Sequence, residues 1–235
     1  MKEILAIIPA RGGSKGVPKK NIKPLNGIPL IGYTLQEADK SKYISRVVVT
    51  TDDREIAETA IEFKGEVPCL RPEELSTDTS STVDGVMHMV NYLKEKENYV
   101  PDYICLLQCT SPLRTYEDID GAIEKLLKTD FDGIISVCPA EVNPYWANVF
   151  EGDRLKYFIE EGKNMVRRQD LPEVYRYNGA IYIIKTEVFM KEKTFEPENI
   201  TGYIMSNENS VDIDTITDFK IAEILMKERE NSCEK

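Results

Sequence analysis

The sequence has a single histidine, His88, and five cysteines, which is an odd number. His88 lies in a predicted helix and is interpreted as a partly exposed helix residue, so catalytic triads built on histidine are excluded. Cys105 and Cys109 are four residues apart, without a CxxC pair or a histidine-rich partner, which argues against a zinc site. We expect reduced, mostly buried thiols, and a chemistry that rests on a metal ion, cationic side chains and positioning.

Long apolar runs are also missing. The apolar run at residues 4–8 is too short to cross a bilayer or to form a signal peptide, and it reads as the first strand of the fold. We therefore expect a cytoplasmic protein with no membrane partner. Two phosphate-binding motifs, GxxxxGK[ST] and GxGxxG, are absent as well, which excludes a Walker-type NTPase and disfavours a classical dinucleotide fold.

Positive charge is scarce overall, because the 235 residues carry a formal net charge of −11. This balance argues against nucleic acid as a partner. Five basic residues nevertheless follow the first strand with no acid among them: Arg11, Lys15, Lys19, Lys20 and Lys23. Such a run can be a solvated surface, but its place directly after a buried strand favours a site for an acidic ligand.

Short β-branched runs alternate with helical patterns along the chain. Strands are predicted at residues 4–9, 47–50, 103–107, 134–137 and 180–184. Helices are predicted at 82–97 and after Thr115 and Thr215, each of the last two with a capping-box pattern. The alternation predicts an α/β fold with a mostly parallel, doubly wound sheet. Ligands of such sheets bind at the carboxyl ends of strands, here the loops that start at residues 10, 51 and 108.

Residues 139–177 interrupt this pattern, since they lack a helical period and are rich in aromatic and turn residues. They predict a β-hairpin excursion with its turn at 151–154. An excursion of this length usually serves a binding site or a subunit contact. We therefore divide the chain into a main domain, residues 1–138 and 178–235, and the excursion at 139–177.

The loop at residues 10–21 is the first candidate site. Its three glycines allow a tight turn whose N–H groups suit phosphate oxygens. Arg11, Lys15 and Lys20 would neutralise phosphates there, and Asn21 would orient a hydroxyl or a phosphate. A glycine-rich turn with solvated lysines is the alternative, because a lone loop of this kind is a weak signal.

The segment Val211-Asp212-Ile213-Asp214-Thr215 is the second candidate site. On an extended segment, Asp212 and Asp214 lie on one side, and two carboxylates on one face suit Mg²⁺. Alternatively, Asp214 is only a helix-terminal charge ahead of the Thr215 cap. Both interpretations stay open on these residues alone.

Two further groups are candidates for contact with a substrate. Gln108 directly follows a predicted strand, where side chains often meet a ligand. The nearby Arg114 is interpreted as a structural residue that holds its loop in place. Arg168 and Arg176 lie in the last part of the excursion and Asn178 directly follows it. The fork of an arginine matches the two oxygens of a carboxylate. Ordinary surface arginines are the alternative.

These segments, in this order, resemble the acylneuraminate cytidylyltransferases, also called CMP-sialic acid synthetases. The loop IIPARGGSKGVPKKN is similar to the signature loop of that family. The resemblance continues at residues 70–72, 78–79, 107–114, 175–180 and 211–215, and so covers nearly the whole chain. It implies a Rossmann-like nucleotidyltransferase fold. It also implies transfer of CMP from CTP to the anomeric hydroxyl of a nine-carbon keto sugar acid, with release of pyrophosphate.

The resemblance implies a role for each candidate residue. The triphosphate and the reacting phosphate would be held by Arg11, Lys15, Lys20 and Asn21. Cytosine would be recognised by Arg71, the backbone near Ser80, and Thr82. The sugar acid would be faced by Gln108, Arg168, Arg176 and Asn178. Mg²⁺ would be bound by Asp212 and Asp214, and either Asp214 or a metal-bound hydroxide would accept the proton. The excursion would be exchanged in a homodimer, with Arg168 serving the partner's site.

One departure leaves the sugar open. Sialic acid enzymes often place a lysine shortly after a proline, whereas this chain has Pro144-Tyr145-Trp146 and no lysine until Lys156. The expected substrate is N-acetylneuraminic acid or a relative such as legionaminic acid. The alternatives are pseudaminic acid, the eight-carbon acid Kdo, or a catalytically silent nucleotide-sugar binding protein on the same fold.

Overall fold

The computed structural model describes residues 2–13, 16–77 and 79–233. Within them, the strands are β1 (Ile4–Pro9), β2 (Pro24–Leu25), β3 (Ile28–Pro29), β4 (Arg46–Thr50), β5 (Tyr103–Leu107), β6 (Gly133–Pro139), β7 (Asn148–Glu151), β8 (Arg154–Tyr157), β9 (Tyr175–Lys185) and β10 (Ile200–Ile204). The helices are α1 (Leu30–Lys40), α2 (Arg54–Glu62), α3 (Thr82–Glu97), α4 (Tyr116–Leu127), α5 (Thr186–Glu192) and α6 (Ile216–Cys233).

Six strands form the main sheet, in the order β10-β6-β9-β5-β1-β4. Strand β1 pairs in parallel with both β4 and β5, and β10 pairs in parallel with β6. Strand β9 runs antiparallel between β5 and β6, so five of the six strands share one direction. The mostly parallel sheet is confirmed. The sequence pattern did not predict that β9 runs antiparallel to its neighbours or that β10 joins the sheet.

Both faces of the sheet are covered, as the continuous apolar strands require. Residues 4, 6 and 8 of β1 point into one core with α1, α2 and α4, while residues 5 and 7 point into a second core with α3 and α5. A third, smaller core packs α6 against the β2–β3 hairpin and against Ile213. The doubly wound arrangement is thus confirmed, and the third core fixes the acidic segment at residues 211–214.

Side-chain caps start the helices where the sequence predicts them. Ser81 accepts a hydrogen bond from the amide of Asp84 at the start of α3, at 3.1 Å. Thr115 and Asp118 form a reciprocal capping box ahead of α4. Thr215 and Asp218 exchange the same pair of bonds ahead of α6. These caps satisfy backbone N–H groups that have no partner inside the helix.

The excursion leaves the sheet from the end of β6 and returns along β9, whose first residues pair with 137–139. Strands β7 and β8 form the predicted hairpin, and Gly152 has a φ of +62° in its turn, a backbone conformation that suits glycine. Several large apolar side chains of this segment are exposed, among them Phe150 at 77%, Phe158 at 65% and Val166 at 82%.

Cys69, Cys105, Cys109 and Cys138 are free thiols, and the last three are buried, as the sequence predicts. Burial raises the pKa of Cys105 and of Cys109 to about 12, so both stay protonated. Among the described residues, no helix combines the length and apolar character needed to cross a membrane.

Candidate active site

A pocket of about 450 Å³ opens at the carboxyl ends of β1 and β5. This is the edge at which a sheet of this kind binds ligands. Eight of the predicted site residues line it: Arg11, Lys20, Asn21, Arg71, Ser80, Thr82, Gln108 and Asp214. These residues come from four separate stretches of the chain, so the fold brings together what the sequence distributes. The predicted Lys15 lies outside the described residues.

The loop after β1 is attached to the acidic segment by three contacts. The Lys20 ammonium donates to the carbonyl of Ile213 at 2.7 Å and pairs with the Asp214 carboxylate at 3.3 Å. Gly16 lies so close to Asp214 that a Cβ on Gly16 would be 2.2 Å from the Asp214 carbonyl oxygen. The Lys20 ammonium and the Asp214 carboxylate therefore face the same space, whereas Asp212 does not line the pocket.

Asn21 and Arg11 shape this loop. The Asn21 amide is buried and donates to the carbonyl of Arg11 at 2.9 Å, so it fixes the backbone beside the pocket. The Arg11 guanidinium donates across the pocket to the carbonyl of Thr77 at 3.2 Å. Arg11 thus links the glycine-rich loop to the segment that leads into α3.

Arg71 brings a buried positive charge to the lining of the pocket. Its side chain is 5% exposed, and its Nε and Nη2 have no hydrogen-bond partner among the described residues. Burial lowers the pKa of the guanidinium, because a charged group loses its hydration there. The amino end of α3, with Ser81 and Thr82, adjoins it and presents the positive end of a helix dipole. This side of the pocket is built to receive acceptor atoms.

The residues of the acidic segment differ in burial. Ile213 is fully buried, Asp214 is 77% exposed at the side chain, and Asp212 is half-buried. Burial is the main reason why the pKa of Asp212 is raised, and its Oδ1 is buried without a hydrogen-bond partner among the described residues. A buried carboxylate oxygen with no donor fits a metal ligand.

Gln108 lies at the end of β5 and faces the same region from the sheet. Gly179 in β9 has a φ of +74°, and a Cβ there would be 3.0 Å from Gln108 Oε1 and 3.7 Å from Asp212 Oδ2. The glycine therefore leaves room for both side chains. Arg114, fully buried, donates to the carbonyls of Gln108 at 3.1 Å and Ala180 at 2.8 Å, which agrees with its interpretation as a structural residue.

The structure does not place Asn178 in the pocket, contrary to the expectation that it faces the sugar acid. Asn178 is 1% exposed, and its amide is used inside the sheet. It accepts from Ser136 at 2.6 Å and donates to Ser210 at 2.8 Å. Because both ends of the amide are paired with buried groups, its role in this subunit is to hold β9 against β6 and the 206–210 turn.

Arg168 and Arg176 also lie outside the pocket lining. Arg176 forms a two-point ion pair with Glu141, at 3.0 Å and 2.8 Å, which raises the pKa of the guanidinium and lowers that of the Glu141 carboxyl to about 2. Arg168 lines a separate hollow in the excursion, beside Trp146 and Tyr175. A single subunit therefore does not gather the residues predicted for the sugar acid.

Sequence reasoning missed two residues that lie behind the pocket. Asp52 follows β4, in the strand-end loop that starts at residue 51, and contacts both Gly12 and Arg71. Gly85 lies in the first turns of α3, directly against the Arg71 guanidinium. The strand-end rule pointed to the loop that carries Asp52, whereas no pattern along the chain distinguishes Gly85 from any other helical glycine.

Comparison with known proteins gives a consistent result. A sequence model of the family described as cytidylyltransferase matches residues 5–230. The chain is 34% identical over 227 residues to CMP-N,N'-diacetyllegionaminic acid synthase of Legionella pneumophila, covering 95% of this chain and 96% of that protein. It is 34% identical over 217 residues to N-acylneuraminate cytidylyltransferase of Streptococcus agalactiae, covering 92% of this chain and 51% of that protein.

A solved structure shares the fold. CMP:2-keto-3-deoxy-manno-octonic acid synthetase, solved in complex with CTP, has a TM-score of 0.72 to this chain at 18% identity. The match covers 97% of this chain and 99% of the other. At this identity the likeness concerns the arrangement of the sheet and helices.

Proposed function

Because the chain belongs to the cytidylyltransferase family, we propose that it transfers CMP from CTP to the anomeric hydroxyl of a nine-carbon keto sugar acid. Pyrophosphate is the second product. The observation that carries this proposal is the convergence of loop cations, a buried arginine and a carboxylate in one pocket at the carboxyl edge of the sheet. Each is a group that a nucleoside triphosphate requires for binding and for charge stabilisation.

Different residues of the pocket bind the triphosphate and the base of CTP. Arg11 and Lys20 provide positive charge for the triphosphate, where charge increases as the α-phosphate is attacked. Arg71 and Thr82 face the base, with the unpaired donors of Arg71 as the groups that would recognise cytosine. A sugar hydroxyl is a weak nucleophile, so most of the rate comes from holding it in line and from stabilising the phosphate charge.

Asp212 and Asp214 are the residues that would hold Mg²⁺, and the bound ion would supply positive charge to the phosphate oxygens. Among the described residues, no group of three or more acidic, histidine or cysteine side chains is arranged around one metal position. Two carboxylates are nevertheless enough for Mg²⁺, which completes its shell with water and phosphate oxygens. Lys20 keeps Asp214 oriented toward the pocket through its 3.3 Å ion pair.

We further propose a homodimer in which the excursion at 139–177 reaches the partner's pocket. Exposed Phe150, Phe158 and Val166 support this, because large apolar side chains that are exposed in one segment are typical of an interface. The position of Arg168, away from its own pocket, also supports it. The free cysteines fit a reducing compartment, so the proposed location is the cytoplasm.

A substrate panel tests the function. The protein is supplied with CTP, Mg²⁺ and one acid at a time, and pyrophosphate release is measured for N-acetylneuraminic, legionaminic, pseudaminic and Kdo acids. We expect turnover with one of the first two, and omission of Mg²⁺ should abolish it. Release with Kdo or pseudaminic acid alone would select those alternatives. No release with any acid, together with retained CTP binding, would instead select the catalytically silent binding protein.

Mixing two inactive variants tests the shared site. Arg168→Ala and Asp214→Ala should each be inactive, yet a mixture that exchanges subunits should recover about a quarter of wild-type activity, because half the dimers then hold one complete site. Sedimentation measures the oligomeric state in the same samples. A dimer without recovery would show that Arg168 does not serve the partner's site.

A further inference from the structure

Burial of the Arg71 guanidinium is unfavourable, because the charged group loses its hydration, and the structure shows which groups compensate for this loss. Its side chain is 5% exposed, and two of its donor nitrogens lack hydrogen-bond partners among the described residues. A buried charge with unpaired donors is strongly unfavourable unless a counter-charge and a ligand compensate it. The carboxylate that faces it is Asp52, whose Oδ1 lies 3.7 Å from Arg71 Nη2. This separation is an ion-pair distance, longer than a hydrogen bond, so the donors stay available.

The same carboxylate oxygen also holds the phosphate-binding loop. Asp52 Oδ1 accepts a hydrogen bond from the amide of Gly12 at 3.1 Å. The loop that follows β4 supports this position, since the amide of Arg71 donates to the carbonyl of Thr51 at 2.7 Å. One oxygen atom therefore contacts the loop that faces the phosphates and the arginine that faces the base. Asp52 itself does not line the pocket.

Helix α3 gives Arg71 the space that it needs. A Cβ on Gly85 would be 2.6 Å from Arg71 Nη1 and 3.3 Å from its Cδ. Glycine inside a helix is destabilising relative to alanine, and Gly85 is the fourth residue of α3. The close approach of the guanidinium is the reason that the structure offers for a glycine at this position.

We propose that Asp52 and Gly85 are positioning residues for nucleotide recognition. Asp52 aligns Arg71 with the loop amide of Gly12, and Gly85 sets how closely Arg71 approaches α3. The Asp52 carboxylate then determines the distance between the Arg71 donors, which contact the base, and the loop that binds the phosphates. The inference rests on the proposed function, because it takes Arg71 as the residue that reads cytosine.

Two substitutions at Asp52 separate its two contacts. Asp52→Asn removes the charge that faces Arg71 but keeps an oxygen for the Gly12 amide, whereas Asp52→Ala removes both. The binding of CTP, UTP and inorganic tripolyphosphate to the full chain is measured by calorimetry. Asp52→Asn should weaken CTP about 10-fold, the equivalent of one charge-assisted hydrogen bond, and lower the preference for CTP over UTP. Tripolyphosphate affinity should change less than about twofold in Asp52→Asn but fall about 10-fold in Asp52→Ala.

The matched control is Asp39→Asn, which also removes one carboxylate but from an exposed ion pair with Lys64. It should leave all three affinities unchanged. If Asp52→Asn binds CTP as tightly as the wild-type protein and keeps the same preference for CTP over UTP, this inference is wrong, whereas the proposed function is unaffected. Failure of the wild-type protein to bind CTP would overturn the proposed function, and the inference with it.

Gly85→Ala gives an independent test. It should lower the preference for CTP over UTP in the wild-type background, because the added methyl group displaces the Arg71 guanidinium. In an Arg71→Ala background the same change should leave the preference unaltered, and the melting temperature should not fall, because alanine is the better helix former. An equal loss of preference in both backgrounds would show that Gly85 does not act through Arg71.

Discussion

Replacing Gly16 with alanine should pull the phosphate-binding loop away from the acidic segment. An ideal Cβ at this position lies 2.2 Å from the carbonyl oxygen of Asp214, which is far inside contact distance. The obstacle is backbone, so no side chain can rotate aside to relieve it. Gly16 lines the pocket, and the neighbouring Lys20 contacts both Ile213 and Asp214. The substitution therefore acts on the contacts that bring cations and carboxylates together.

The size of the effect follows from that distance. Real Cβ atoms are essentially never closer than 3.0 Å to such a neighbour. The loop and the acidic segment must consequently separate by about 1 Å, a displacement that typically costs about 100-fold in rate when it misaligns reacting groups. A 100-fold loss corresponds to about 2.7 kcal/mol of transition-state stabilisation. Gly16 itself is exposed and lies outside the core clusters, so the melting temperature should change only slightly.

Gly13→Ala is the matched control in the same loop. A Cβ there would meet no atom of the described residues within 4 Å. Both variants are compared in pyrophosphate release under single-turnover conditions and in thermal unfolding. We expect Gly16→Ala to lose about 100-fold in rate and Gly13→Ala to stay near the wild type. Equal rates in the two variants would refute the idea that the contact with Asp214 aligns the site.

Three further predictions concern single side chains. Asp214→Ala should abolish Mg²⁺-dependent turnover and leave the melting temperature unchanged, since the side chain is 77% exposed; retained turnover would remove Asp214 from the site. Asp212→Asn should also abolish turnover but should raise the melting temperature at pH 7. The pKa of Asp212 is raised by burial above 3.8, so the ionised carboxylate costs stability as pH increases through that range. The gain should disappear near pH 3, and a gain that persists there would contradict this cause. Arg114→Ala should destabilise the fold by roughly 3 kcal/mol or more, because it leaves buried carbonyls without a donor. Chemical unfolding measures this loss, and a loss below about 1 kcal/mol would show that water replaces the guanidinium.

Local patterns in the sequence predicted much of the architecture. The apolar runs at β1 and β5, the 3.6-residue period of α3 and the capping boxes of α4 and α6 all lie where the sequence places them. Each depends on residues that are close along the chain, such as Thr115 and Asp118. Strand β10 was missed because Thr201, Gly202 and Tyr203 interrupt its apolar pattern. Strand β9 was not recognised as antiparallel because an apolar run does not indicate the direction of a strand.

The candidate site shows the same limit. The glycine-rich loop and the alternating aspartates can be recognised from the sequence, because backbone freedom and side-chain alternation depend only on residues that are close along the chain. Lys20 meets Asp214 across nearly the whole chain, and that contact exists because the third core packs Ile213 against α6 and the β2–β3 hairpin.

The sequence by itself determined the types of side chain that the chain carries: a basic, glycine-rich loop, two alternating aspartates and a single histidine. Only the tertiary structure decided which residues share a pocket. It turned Asn178 inward to satisfy buried groups, paired Arg176 with Glu141, and brought Asp52 and Gly85 against Arg71. The physical reason is that burial and long-range contact distances arise from packing between elements, and no local pattern encodes them.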